Sequence, residues 1–144
     1  MCYHWFVVVV IDTDVVVAAL LTRGGASREV LRRALRQDCV PLMGTTLFTE
    51  YESVLARREL FERCALSAAE RESLLDALLS VCRWTRIFYT WRPNVPDESD
   101  NHVVELAVAG GAHAIVTRNV RDFVGAELMF VGLRIMTPQQ FIKE

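Results

Sequence analysis

Residues 6–11, Phe-Val-Val-Val-Val-Ile, form an unbroken run of β-branched and aromatic side chains. A strand covered on both faces reads this way, and such strands belong to parallel sheets with helices on either side. The apolar character continues over 15–21 but becomes richer in Ala and Leu, which predicts a short helix ended by Gly24-Gly25. Ser27 is placed to cap a helix through Arg36 that turns Val30, Leu31, Ala34 and Leu35 inward. Residues 40–43 predict a second short strand, and Thr45 or Thr46 caps a third helix to about Arg58. Ser67-Ala-Ala-Glu70 has the spacing of a capping box and opens a helix to about Val81.

The second half repeats the alternation. Residues 86–89 predict a strand, and 91–99, with Pro93 and Pro96, a loop. Asp100 caps a helix over 101–109 that Gly110-Gly111 closes. Ala114-Ile-Val-Thr117 predicts a buried strand, 128–135 holds the last one, and Pro138 opens a terminal helical turn. Strands alternating with helices predict an α/β sandwich around a mostly parallel sheet. No repeat, linker or low-complexity segment breaks residues 1–144, which read as one domain.

Composition narrows the function. Apolar residues make up 52% of the chain and charged residues 24%, which excludes disorder and leaves apolar surface that a partner could cover. The apolar stretch from Trp5 to Leu21 is broken at its centre by Asp12 and Asp14, so it predicts no membrane span. It also lacks the basic start and small-residue cleavage site of a signal peptide. Cys2, Cys39, Cys64 and Cys82 form no metal-binding spacing and predict reduced, mostly buried thiols in a cytoplasmic protein. The formal net charge is −2, so any contact with nucleic acid has to rest on a local basic patch or on bound metal. Arg23, Arg28, Arg32, Arg33 and Arg36 offer such a patch, though a solvated helix face is the better explanation of them.

The acids at element ends carry the chemistry. In open α/β sheets ligands bind beyond the carboxyl ends of the strands. Asp12 follows the first strand, Asn119 and Asp122 follow the strand ending at Thr117, and Asp100 stands at a loop-to-helix junction. Glu50 shares a helical face with Leu47 and Val54, a costly place for an acid unless something compensates it. Plain alternatives exist for each: a turn residue for Asp12 and Asp122, a cap for Asp100 and Asp97, and a stripe-edge position reaching water for Glu50. Together, however, close carboxylates repel and raise one another's proton affinity, which a hard divalent cation such as Mg2+ or Mn2+ relieves. An acidic pocket filled by such an ion suits phosphodiester hydrolysis.

Four segments bear a family resemblance. Val10-Ile-Asp-Thr-Asp-Val-Val-Val-Ala-Ala19 resembles the opening motif of PIN-domain proteins, and Thr46-Leu-Phe-Thr-Glu-Tyr-Glu-Ser-Val-Leu55 the helix bearing their second acid. Pro96-Asp-Glu-Ser-Asp-Asn-His-Val-Val-Glu-Leu-Ala107 resembles their third motif, and Ile115-Val-Thr-Arg-Asn-Val-Arg-Asp-Phe123 their last. The likeness is strongest to VapC-like toxins of type II toxin–antitoxin pairs. It implies a three-layer α/β/α sandwich, Mg2+- or Mn2+-dependent endoribonuclease activity, an RNA substrate, a homodimer and a cognate antitoxin protein. By the same resemblance Asp12 and Asp100 are the metal ligands, Glu50 and Asp122 complete the acidic site, and Asn119 orients a ligand or the attacking water.

Two positions depart from the pattern. Asp14 stands where the family usually has Asn, and Asn119 where some relatives have Asp. They keep open a second reading, a non-catalytic PIN-like binding module. A third is a phosphatase of the haloacid-dehalogenase kind, because Asp12-Thr-Asp14 also fits its D-x-D start. That chemistry needs a later cation to steady the phosphoryl group, and Lys143 is the only lysine.

Overall fold

The computed structural model describes residues 7–22, 24–87 and 101–144, without the side chains of 128 and 129. Five parallel strands form the sheet in the order β3-β2-β1-β4-β5, with β1 Val8–Ile11, β2 Val40–Met43, β3 Arg83–Trp84, β4 Ala114–Val116 and β5 Arg134–Met136. The helices are α1 Thr13–Leu21, α2 Ala26–Leu35, α3 Thr45–Leu55, α4 Ala68–Val81, α5 Asn101–Ala109, α6 Val124–Met129 and α7 Pro138–Ile142. This is the expected three-layer α/β/α sandwich, and its sheet is wholly parallel.

The central strands explain the layers. All of β1 and β4 is buried, so helices have to cover both faces. The chain steps outward from β1 to β2 and β3, then returns to β4 and β5 on the other side. Right-handed crossovers in two directions put helices on opposite faces. On one face α5 packs across β1, β2 and β4, while α2 gathers α1, α4 and α7. The direction reverses between β1 and β4, so their carboxyl ends splay into a crevice.

Several boundaries differ from expectation, each for a local reason. Helix α2 is capped at Gly25 rather than Ser27, and α3 at Gly44 rather than Thr45 or Thr46. Helix α3 stops at Leu55, and a 3-10 turn Glu59–Phe61 follows it. Ser67 does form the capping box with Glu70. The third strand is Arg83–Trp84, because the chain extends at Cys82 and pairs at once with Leu42 and Met43, and Arg86 and Ile87 of the expected strand lie beyond it in irregular chain. Residues 88–100, including the rest of that expected strand, the Pro-rich loop, Asp97 and Asp100, lie outside the described residues. In place of an early last strand, residues 124–129 are α6, and β5 begins only where Arg134 can pair with Ala114. Gly132, with φ of 88°, turns the chain between them.

Candidate active site

Asp12 sits at the reversal point. Its backbone N–H continues the sheet ladder to the Val116 carbonyl at 2.9 Å, and its side chain caps α1. Oδ1 accepts from the Thr13 backbone N–H at 2.9 Å, and Oδ2 accepts from the Thr117 hydroxyl at 2.8 Å. Thr117 directly follows β4, so this bond links the ends of the two central strands. Asp12 is only 7% exposed. Burial therefore raises its pKa, against the lowering effect of its two hydrogen bonds, and the nearby Glu50 charge raises it further.

Glu50 reaches the same place from α3. The Thr13 hydroxyl donates to its Oε1, and His102 Nε2, on α5, lies 2.9 Å from its Oε2. Leu47 and Tyr51, on the inner face of α3, are fully buried, while Glu50 stays half-buried at the edge of that stripe. Its two donors are the compensation that an acid beside an apolar stripe requires. The His102 hydrogen bond holds the Glu50 carboxyl below its ordinary pKa against some desolvation. The next residue, Tyr51, donates its hydroxyl proton to the Ile11 carbonyl, fastening α3 to the end of β1.

Asp14 projects from the first turn of α1 toward the loop after β4. Its carboxylate accepts from the Arg118 backbone N–H at 3.1 Å and from Asn119 Nδ2 at 3.1 Å. Burial, then repulsion from Asp12, raises its pKa to about 7. The Asn119 backbone N–H donates to the Thr117 hydroxyl oxygen at 3.1 Å. Asp122 lies in the 3-10 turn Val120–Phe123 and donates its backbone N–H to the Asn119 carbonyl at 3.0 Å. Among the described residues no hydrogen bond or ion pair ties its carboxylate to Asp12 or Glu50.

Asp12, Glu50 and Asn119 thus lie around one crevice, Asp122 is in the turn that follows Asn119, and Asp100 lies outside the described residues. Sequence reasoning missed Thr13, Thr117 and His102. Thr117, a hydroxyl ending an apolar strand, offered a weak signal, whereas nothing local links His102 to Glu50. Burial pushes the thiol of Cys39 up to about 11 and that of the partly buried Cys82 up to about 12, away from the reactive thiolate form.

The donor chemistry fits a hard divalent cation. Asp12 and Glu50 offer oxygen alone, and their mutual repulsion is what such an ion offsets. No group of three or more His, Cys, Asp or Glu stands ready to hold a metal among the described residues. Asp100, the other metal ligand that the resemblance implies, lies outside the described residues.

A doubly wound parallel sheet with carboxylates at its reversal point defines a class of α/β proteins that act on ligands at the sheet's carboxyl edge. Within that class the chain belongs to the PIN domain family, whose model matches residues 8–121 and whose members are as a rule nucleases. The fold is shared with a crystal structure of VapBC2 from Rickettsia felis bound to a DNA fragment from their promoter. The superposition covers 90% of this chain and 98% of that one, with a TM-score of 0.57 and 13% identity. No curated protein matches the chain. No helix among the described residues is long and apolar enough to cross a membrane.

Proposed function

We propose that the chain, over its whole length, is one Mg2+- or Mn2+-dependent endoribonuclease domain and the cytoplasmic toxin of a type II toxin–antitoxin pair. The observation that carries this reading is the meeting of Asp12 and Glu50, on either side of Thr13, at the reversal point of the sheet. Membership of the PIN domain family supports the nuclease, and the likeness to a VapBC2 complex supports the antitoxin partner. A homodimer belongs to the same proposal and rests on the resemblance of the sequence motifs to VapC-like toxins.

Asp12 and Asp100 would hold the ion, with Glu50 and Asp122 completing the acidic site. A bound divalent ion supplies water activation at neutral pH and steadies the departing oxygen. Thr117 and the Thr13 N–H fix the orientation of the Asp12 carboxylate. Thr13 and His102 hold Glu50 ionised and in place, ready to orient or deprotonate a water. Asn119, steadied by Asp14, orients a phosphate or that water from the β4 side.

The lysine that the phosphatase alternative would call on lies at the other edge of the sheet. Phe141 and Glu144, which bracket Lys143, line a cavity with Val7, Asp38 and His113 at the amino ends of the strands, the edge opposite Asp12.

Induced expression in a bacterial host tests the toxin reading. The wild-type chain is expected to arrest growth and leave discrete RNA fragments, and Asp12→Asn at equal protein level to do neither. Unaffected growth and intact RNA with the wild-type chain would contradict it and favour the binding module.

A further inference from the structure

Beyond the carboxyl ends of β2 and β3 lies a groove of about 710 Å³. Thr45 and Thr46 at the start of α3, Trp84 and Arg86 after α4, and His102 and Glu105 on α5 line it. His102 is shared with the acidic site, because its Nε2 contacts Glu50. The groove therefore adjoins, through His102, the place where the proposed chemistry occurs.

Its outer wall is unusual. Trp84 is 53% exposed, although so large an aromatic ring is normally mostly covered. The ring is nevertheless held. Phe48 packs edge-on against it at 5.7 Å between centroids and 62° between planes. Its backbone pairs with Met43, and the next N–H, of Thr85, donates to the Met43 carbonyl at 2.8 Å. Arg86 is exposed on the same groove, and no ion pair engages it among the described residues. A fixed, solvent-facing indole beside a guanidinium that no carboxylate among the described residues pairs with suits a flat π-system joined to a phosphate.

We infer that this groove is a subsite for one unpaired nucleotide of single-stranded RNA next to the scissile phosphate. Trp84 stacks on the base, and Arg86 holds the adjoining phosphate. The inference rests on the ribonuclease reading. A base has to be unstacked to reach the indole, which selects loops and single strands over duplex. Glu105 and the two threonine hydroxyls offer acceptors and donors for the edge of the base. An overall acidic chain thereby gains a local hold on its substrate that does not depend on net charge.

The test uses the full chain silenced by Asp12→Asn and labelled with 5-fluorotryptophan. The 19F resonance of Trp84 is the one lost in Trp84→Phe. On addition of a short mixed-sequence single-stranded RNA, that resonance is expected to move. Trp84→Ala is expected to weaken binding about tenfold or more, the usual loss for one stacked base, while Trp84→Phe retains most of it. With an oligomer lacking bases the difference between parent and Trp84→Ala disappears. Arg86→Ala lowers the salt dependence by about one counterion. A stationary Trp84 resonance at saturating RNA, or Trp84→Ala binding as tightly as its parent, overturns the subsite. So does a silenced chain that binds no RNA. Mn2+-dependent cleavage by the unsubstituted chain then separates the two readings: if cleavage persists, only the subsite falls.

Discussion

Asn119 donates a side-chain hydrogen bond to Asp14 across 3.1 Å, joining the loop after β4 to the first turn of α1. Both positions depart from the PIN-domain pattern, and they depart in opposite senses. Where a relative has Asn at the first and Asp at the second, the same amide–carboxylate pair arises with its ends exchanged. Asn119→Asp alone sets two carboxylates against each other. It is expected to destabilise the metal-free protein by about 1 kcal/mol, a normal coupling for neighbours in one network. Adding Asp14→Asn is expected to restore most of that loss. Thermal unfolding in EDTA reads the cycle, and additive effects of the two substitutions would show that the pair is not coupled.

The same carboxylate gives the metal-free protein a definite pH dependence. Burial and the Asp12 charge raise the pKa of Asp14 from 3.8 to about 7. A raised folded pKa means that the folded state binds its proton more tightly than the unfolded chain does. The stability this contributes is complete below 3.8 and is lost as pH rises through about 7. Asp12, raised by the same causes, acts in the same direction. Melting temperatures in EDTA are therefore expected to fall across that window, less steeply for Asp14→Asn. Parallel curves for the two proteins would rule out the contribution.

His102 has a separate kinetic signature. Its hydrogen bond is the main reason that the Glu50 carboxyl titrates low. His102→Ala is expected to move the acid limb of the cleavage pH profile upward, because Glu50 then ionises at higher pH. Activity near neutrality falls less than activity at the acid end. An unshifted acid limb would mean that Glu50 ionisation does not limit the rate.

Packing beneath the site offers a stability test. Gly110 follows α5, where an added Cβ would stand 2.3 Å from Leu42 Cδ1, and Leu42 is only 1% exposed on the central sheet. The leucine has little room to turn away, so Gly110→Ala is expected to cost about 1–3 kcal/mol, as overpacking usually does. Urea unfolding measures this, and a midpoint equal to wild type would show that Leu42 repacks freely.

What the sequence revealed follows the range of each interaction. The runs that became β1 and β4 were legible because burial on both faces writes itself into every residue. The Ser67 capping box was legible because both its hydrogen bonds close within one turn. Strand β3 was not, because Arg83 and Trp84 are both exposed and are defined only by the register of Leu42 and Met43. Strand β5 is likewise cut to the length of its partner. In the site, Asp12 and Glu50 stood out as acids set into apolar surroundings. Their partners did not, since Thr117 is 105 positions from Asp12 and His102 is 52 from Glu50. No local spacing encodes contacts that only the sheet order creates.

The central claim is that Asp12 and its neighbouring carboxylates cut RNA with a divalent ion. The most direct measurement is cleavage of a mixed single-stranded RNA pool by the wild-type chain with Mn2+, by the same chain with EDTA, and by Asp12→Asn with Mn2+. Circular dichroism confirms that the variant is folded. In the metal-free form Asp12→Asn is expected to melt no lower than wild type, because it removes a buried charge. Cleavage only by the wild-type chain with metal is the predicted result. Equal cleavage by Asp12→Asn, or by the wild type in EDTA, would contradict the account.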